Sequence, residues 1–142
     1  MKFTIKLISL LLLTLLLSSL ALAEEQSLEN YAARAAAEYF LLMLDEGQYD
    51  KCWDEASELF RTSSVKLQWQ ERIEHLREQY RELKDRQLRF SKEMHDVEGA
   101  PKGDYFFIIY GSSFAGRASV IETVTVMNDN SGKWRVSGYS IK

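Results

Sequence analysis

The C-terminal third of the chain, APKGDYFFIIYGSSFAGRASVIETVTVMNDNSGKWRVSGYSIK, constrains the fold more than any other stretch. Val, Ile, Phe, Tyr and Trp recur in short runs, and Gly, Asn, Asp and Pro separate the runs. That composition builds strands joined by turns. Asp104–Tyr110 is apolar on both faces, the pattern of a central strand. Residues 119–127 and 133–141 flank Asn128-Asp129-Asn130-Ser131-Gly132, a hairpin turn whose residues tolerate positive φ. A further strand, Gln87–His95, sets Leu88, Phe90, Lys92 and Met94 against Arg89, Ser91, Glu93 and His95. It is followed by a turn at residues 99–103 that contains the only proline, Pro101. Neighbouring strands joined by short turns pair antiparallel, so a four-stranded antiparallel meander is expected.

Upstream of about Leu83 the pattern is helical. Ser27 or Asn30 is placed to cap a helix running through Leu44, and Gly47 supplies the left-handed stop. The segment is apolar almost all round, which predicts burial on several sides. In a second, shorter helix Tyr49, Trp53, Ala56 and Phe60 share a face. A third begins after Ser63-Ser64, with Val65, Trp69, Ile73, Leu76, Tyr80 and Leu83 in one stripe. Its opposite face carries the pairs Glu74–Arg77, Glu78–Arg81 and Glu82–Arg86. The stripe is too short for a coiled-coil seam and fits a helix packed on a sheet. Helices followed by an antiparallel sheet define an α+β fold, with the helices on one face of the sheet.

The other end of the chain speaks to location. Lys2 and Lys6 precede an apolar run, and Ala21-Leu22-Ala23 precedes Glu24-Glu25. This is the layout of a secretory signal peptide, residues 1–23, cleaved after Ala23. Leu7 to Ala23 is at the lower limit of length for crossing a bilayer of about 30 Å. No stable membrane span is expected after cleavage, and residues 24–142 make a single domain in the periplasm or outside the cell.

Charge and reactive residues narrow the function. The net charge is −3, and about −5 without Lys2 and Lys6, with acids and bases interspersed. Nucleic acid is therefore not an expected partner, since it calls for a basic face. Cys52 is the only cysteine, and Asp50, Asp54 and Glu55 surround it. It reads as a packed structural thiol. His75 and His95 read as surface residues, and Glu71 with His75 makes two ligands where a metal site needs at least three. No nucleophile elbow, phosphate loop or zincin motif is present. Neither a metal nor a cofactor is expected.

One constellation stands out. On its strand Glu122 has the parity of Val120, Val124 and Val126, and Arg86 has the parity of Leu88 and Phe90. Both charges then face inward, where an unpaired ion costs several kcal/mol, so Arg86, or failing it another inward basic group, is expected to pair with Glu122.

Tyr49 with Trp53, Arg86-Gln87-Leu88, Pro101-Lys102-Gly103-Asp104-Tyr105, Phe114, Glu122-Thr123-Val124-Thr125 and Gly132-Lys133-Trp134-Arg135-Val136-Ser137-Gly138-Tyr139 resemble the exported bacterial family called domain of unknown function 4019. The resemblance implies an α+β cone of the nuclear-transport-factor-2-like type, with helices folded over a curved sheet. It implies no reaction. A cone of that type holds a small molecule between sheet and helices, so Glu122, Arg86, Trp69, Tyr80, Tyr105 and Tyr110 are the candidate pocket residues. The function expected is a non-catalytic module that binds a small ligand or an envelope protein, with a homodimer through the sheet among the forms the resemblance allows. The alternative is a small isomerase or hydrolase using Glu122 as general base.

Overall fold

Gly47 ends the first helix as its sequence requires. The computed structural model describes residues 2–142, with side chains at Ser19, at residues 22–25 and from residue 27 onward. The side chains of the expected leader lie for the most part outside the described residues. Helix α1 spans Lys2–Asp45, and Gly47 follows with φ +71°. Gln48 N–H donates to the Met43 carbonyl at 2.8 Å and Gly47 N–H to Leu44 at 3.1 Å, the paired bonds of a Schellman cap. The chain divides into two units, Met1–Tyr31 and Ala32–Lys142. The second contains the other helices and the sheet. No helix of the described residues is long and apolar enough to cross a membrane.

The expected second helix is broken in two, α2 (Tyr49–Glu55) and α3 (Glu58–Thr62). Ala56 and Ser57 between them are extended, with ψ near 160°. Ser57 makes the break worthwhile in three ways. Its hydroxyl accepts from Phe60 N–H at 3.2 Å and so caps α3. Its own N–H donates to Val136 in the sheet at 2.8 Å. Its side chain is wholly buried. Helix α4 runs from Lys66 to Tyr80 with Val65, not a serine hydroxyl, at its N-cap. Trp69, Ile73 and Tyr80 face inward as the stripe predicts, but Val65 is 60% exposed.

Strands β1 (Leu83–His95), β2 (Asp104–Phe114), β3 (Arg117–Asn128) and β4 (Trp134–Ile141) form one open sheet in the order β1-β2-β3-β4, all antiparallel. On one face Phe106, Ile108, Tyr110, Val124, Val126 and Val136 pack against Ala33, Phe40, Leu41, Trp53, Phe60, Trp69 and Ile73 from the helices. Each such aromatic or branched side chain contributes about 1.5–3 kcal/mol by leaving water. This is the α+β meander that the strand and turn pattern requires. The helix expected to be buried on several sides leaves Tyr39 and Leu42 about half exposed. Ala33, Ala37, Phe40, Leu41 and Leu44 carry its packing instead.

The main departure is in β1. The register passes from Leu88 opposite Tyr110 to Phe90 opposite Ile109, so Arg89 is an extra residue, a bulge. A side-chain period of two cannot survive an inserted residue. Leu88 stays with the inward-facing Tyr110, while Phe90, Lys92 and Met94 share the outer face with Ile109, Phe107 and Tyr105. Phe90 is 50% exposed, against the expectation that it points inward with Leu88. Phe90→Ala should therefore cost less than about 1 kcal/mol in denaturant unfolding, whereas Phe106→Ala should cost about 3–5 kcal/mol. Comparable losses at the two positions would contradict this register.

Candidate functional site

The buried charge on β3 has the partner that its strand parity demands, and two more hydrogen-bond donors besides. Glu122 has no solvent exposure. Arg86 donates to it twice, Nε to Oε1 at 2.7 Å and Nη2 to Oε2 at 3.1 Å. Ser112 Oγ donates to Oε1 at 2.5 Å and the Tyr139 hydroxyl to Oε2 at 2.9 Å. The sheet brings these groups together by register, because Arg86 stands opposite Ser112 and Ser112 is one ladder step from the Tyr110–Glu122 pair.

Arg86 then uses its other edge. Nη1 donates to Asp45 Oδ2 at 2.6 Å and Nη2 to Oδ1 at 3.0 Å. Asp45 closes α1, where the helix dipole presents its negative end and disfavours a carboxylate. Two guanidinium groups offset that, because Arg77 of α4 also donates to Asp45 Oδ1. Arg77 Nη1 lies 3.8 Å from Glu122 Oε2, and the Arg77 guanidinium sits 4.9 Å from the centre of the Phe114 ring. Two carboxylates and two guanidinium groups thus balance in charge while joining α1, α4, β1 and β3. Burial opposes the charge on Arg86, but the bonds to Asp45 and Glu122 outweigh it and raise its pKa. Burial, with the Glu122 charge, strongly raises the pKa of the Tyr139 hydroxyl.

Asp45, Arg77, Ser112 and Tyr139 are absent from the sequence-derived candidates. Its pairing with Glu74 predicts Arg77 on the solvated face of the helix, yet only 7% of it is exposed. The spacing Trp69, Ile73, Arg77, Tyr80 continues the inward stripe through Arg77, and that signal was available. Ser112 and Tyr139 needed the strand register, which the sequence pattern alone does not supply.

The remaining candidates are dispersed. Trp69 belongs to an aromatic group with Trp53 and Phe60, at centroid separations of 5.8 and 5.4 Å. Tyr80 packs on Phe114 at 5.5 Å. Tyr110 is in the core, and burial pushes its hydroxyl up to about 12. Tyr105 lies on the opposite face of the sheet, where its hydroxyl donates to the Pro101 carbonyl at 2.6 Å. These side chains fill space between elements and do not converge on one cavity.

The roomier concavity is elsewhere. A cleft of about 620 Å³ opens between α3, the turn before β2 and the β3–β4 hairpin, lined by Glu58, Arg61, Lys102, Asn128, Asn130 and Arg135 among others. Asp129 holds its wall in shape. It accepts from the Ser131 hydroxyl at 2.6 Å, from the N–H groups of Ser131 and Lys133, and from Arg135 Nε at 2.7 Å. Those bonds, the Ser131 hydroxyl foremost, keep its carboxyl far below the usual range. Asn128 Oδ1 is buried without a hydrogen-bond partner.

The other reactive groups are accounted for by packing or by surface pairing. Cys52 is fully buried with Sγ 3.7 Å from the Phe40 carbonyl, and burial pushes its thiol up to about 12. His75 is exposed beside Gln79 at 3.1 Å. His95 is exposed and 2.5 Å from Asp104. Among the described residues no three metal-ligating side chains stand together.

These features define a class: an α+β protein whose open antiparallel sheet is tied to its helices by a closed ionic cluster. The family model described as protein of unknown function, DUF4019, matches residues 36–139. The chain belongs to that family, and the match spans every member of the cluster. No curated protein and no solved structure matches the chain.

Two measurements test the electrostatics. Glu122→Gln leaves two guanidinium groups short of one buried countercharge and should cost about 3–5 kcal/mol. The double variant with Arg86→Gln should lose at least about 1 kcal/mol less than the two single losses combined. At His95 the hydrogen bond that the ring donates to Asp104, with the charges of Asp104, Glu93 and Asp96, raises the pKa above its ordinary 6.5. The resulting stabilisation is complete below the unfolded value and lost as pH rises through the folded one. Asp104→Asn should lower the His95 titration, followed by NMR, toward the ordinary value, with Glu93 and Asp96 still raising it.

Proposed function

We propose that the protein is an exported, non-catalytic binding module of the cell envelope, built as a cone with helices over a curved sheet. The observation that carries this reading is the saturation of Glu122. Glu122, the one fully buried acid among the described residues, is held by Arg86, Ser112 and Tyr139, so a substrate would have to displace three protein partners to reach it. That speaks for a structural role and against use as a general base. The sequence supports export through its charged start, apolar run and Ala-Leu-Ala site. Between periplasm and full secretion, the periplasm suits the chain's resemblance to an exported family of bacteria with an envelope.

Binding then falls to the surface. At about 620 Å³ the cleft beside α3 is in the range of small-molecule sites. Its walls are mostly polar, and Lys102 and Glu58 have no ion-pair partner among the described residues. The Asn128 Oδ1 lacks a protein partner as well. Such a lining suits a small hydrophilic ligand held by hydrogen bonds more than an apolar one.

Protein purified without denaturation from its own cells should carry a small-molecule adduct in native mass spectrometry. Asn128→Ala combined with Lys102→Ala should lower its occupancy at least tenfold, equal to about 1.4 kcal/mol of binding, with little change in Tm. A bare mass in every preparation would count against the cleft. Turnover that disappears in Glu122→Gln at unchanged folding would establish the enzyme reading in its place.

A further inference from the structure

We propose that the outer face of the sheet is a docking surface for an acidic, amphipathic segment of a partner protein. The bulge at Arg89 creates this surface by turning Phe90 outward. By register one row across the sheet then reads Phe90, Ile109, Thr123, Ser140, and the next reads Lys92, Phe107, Thr125, Gly138. Ile121 stands beside Gly111 in the adjoining row. Phe90 and Ile121 are each 50% exposed, and Ile109 and Phe107 between them are half-buried.

Charge is distributed unevenly around this field. Arg89 lies over Gly111, where an added Cβ would come within 2.6 Å of its Nε, so the glycine makes room for the guanidinium. Neither Arg89 nor Lys92 has a carboxylate partner among the described residues, and both are exposed. No acid interrupts the rows just named. A chain of net charge −3 thus has an apolar field edged by unpaired cations. The complement of such a field is apolar and acidic.

Size and chemistry choose among occupants. Three strands about 4.8 Å apart and about 20 Å of their length give roughly 300 Å², the scale of a functional patch. A stable dimer needs about 800 Å² from each partner, and a second copy brings the same cations. A lipid surface fits less well, because the Thr123 and Thr125 hydroxyls have no side-chain bond among the described residues and acyl chains offer none. A short amphipathic helix satisfies both the area and the charge.

The test uses the full chain, isotopically labelled, and two synthetic 14-residue helical peptides with the same leucine face. One carries glutamate on its other face and the other carries lysine. The glutamate peptide should shift the amide signals of Phe90, Ile109 and Thr123 and bind at least tenfold more tightly than the lysine peptide. R89E/K92E should reverse that preference without changing Tm, since both side chains are exposed, and F90S should weaken both peptides. Equal binding of the two peptides, or a footprint away from these amides, would overturn the proposal. So would tighter binding to phosphatidylglycerol vesicles than to the glutamate peptide, or a concentration-dependent dimer with the same footprint in the absence of peptide.

Discussion

The charged groups of this fold are organised around one ion with no solvent exposure. Glu122 sits on the inner face of a central strand among valines, and an isolated carboxylate there would cost several kcal/mol. Arg86 makes the position tolerable, but Arg86 is itself largely buried and needs a second acid. Asp45 supplies it, and Arg77 completes the charge balance. The requirement propagates outward one group at a time until four secondary-structure elements are committed to fixed positions. Hydrophobic packing stabilises the domain more in total, since it is non-directional and spread over the aromatic core. The ionic cluster contributes geometry: α1 must end, and α4 must face inward, where those carboxylates and guanidinium groups can meet.

Much of this was readable from residue order, for reasons that can be named. Glu122 conflicts with the parity of its neighbours, and a buried charge requires a counterion, so the pair with Arg86 followed from two strand patterns. Gly47 stops α1 because a left-handed residue was needed there. What escaped depends on distances along the sheet. A single inserted residue at Arg89 reverses every later side chain of β1, and nothing in Leu-Arg-Phe-Ser marks the insertion. For that reason the parity of Leu88 carries Phe90 inward, although the structure puts it on the outer face. Tyr105 differs from Tyr110 for a simpler reason: five residues apart on one regular strand, they face opposite sides of the sheet. Arg77 escaped for a different reason: an arginine among glutamates looks like a solvated residue, and only its spacing from Ile73 and Tyr80 says otherwise. Ala56-Ser57 likewise continues a helical pattern, and the break arises because Ser57 gains a tertiary hydrogen bond that no local pattern encodes.

The same packing that stabilises the domain separates its interior from its chemistry. Trp53, Phe60 and Trp69 form edge-on and tilted contacts within 6 Å of one another and fill the region where helices and sheet meet. Glu122, Arg86 and Asp45 spend their hydrogen bonds within the cluster, while the Tyr110 hydroxyl and Arg77 Nη1 are buried without a hydrogen-bond partner. Exposed groups with capacity to spare stand in the cleft at the β3–β4 hairpin and on the outer sheet. Recognition at these places can change by substitution without disturbing the ionic cluster.

The bond from Ser57 N–H to Val136 has a consequence for colloidal behaviour. An open four-stranded sheet has two raw edges, and each is a template on which another chain can add a strand and begin a fibril. At β4 the α2–α3 break occupies an edge carbonyl with a group of the chain's own. At β1 the bulge interrupts the regular row of donors and acceptors, and Lys84, Asp85 and Lys92 add charge along it. The α2–α3 break and the Arg89 bulge thus each leave an edge of the sheet less regular as a template for an added strand.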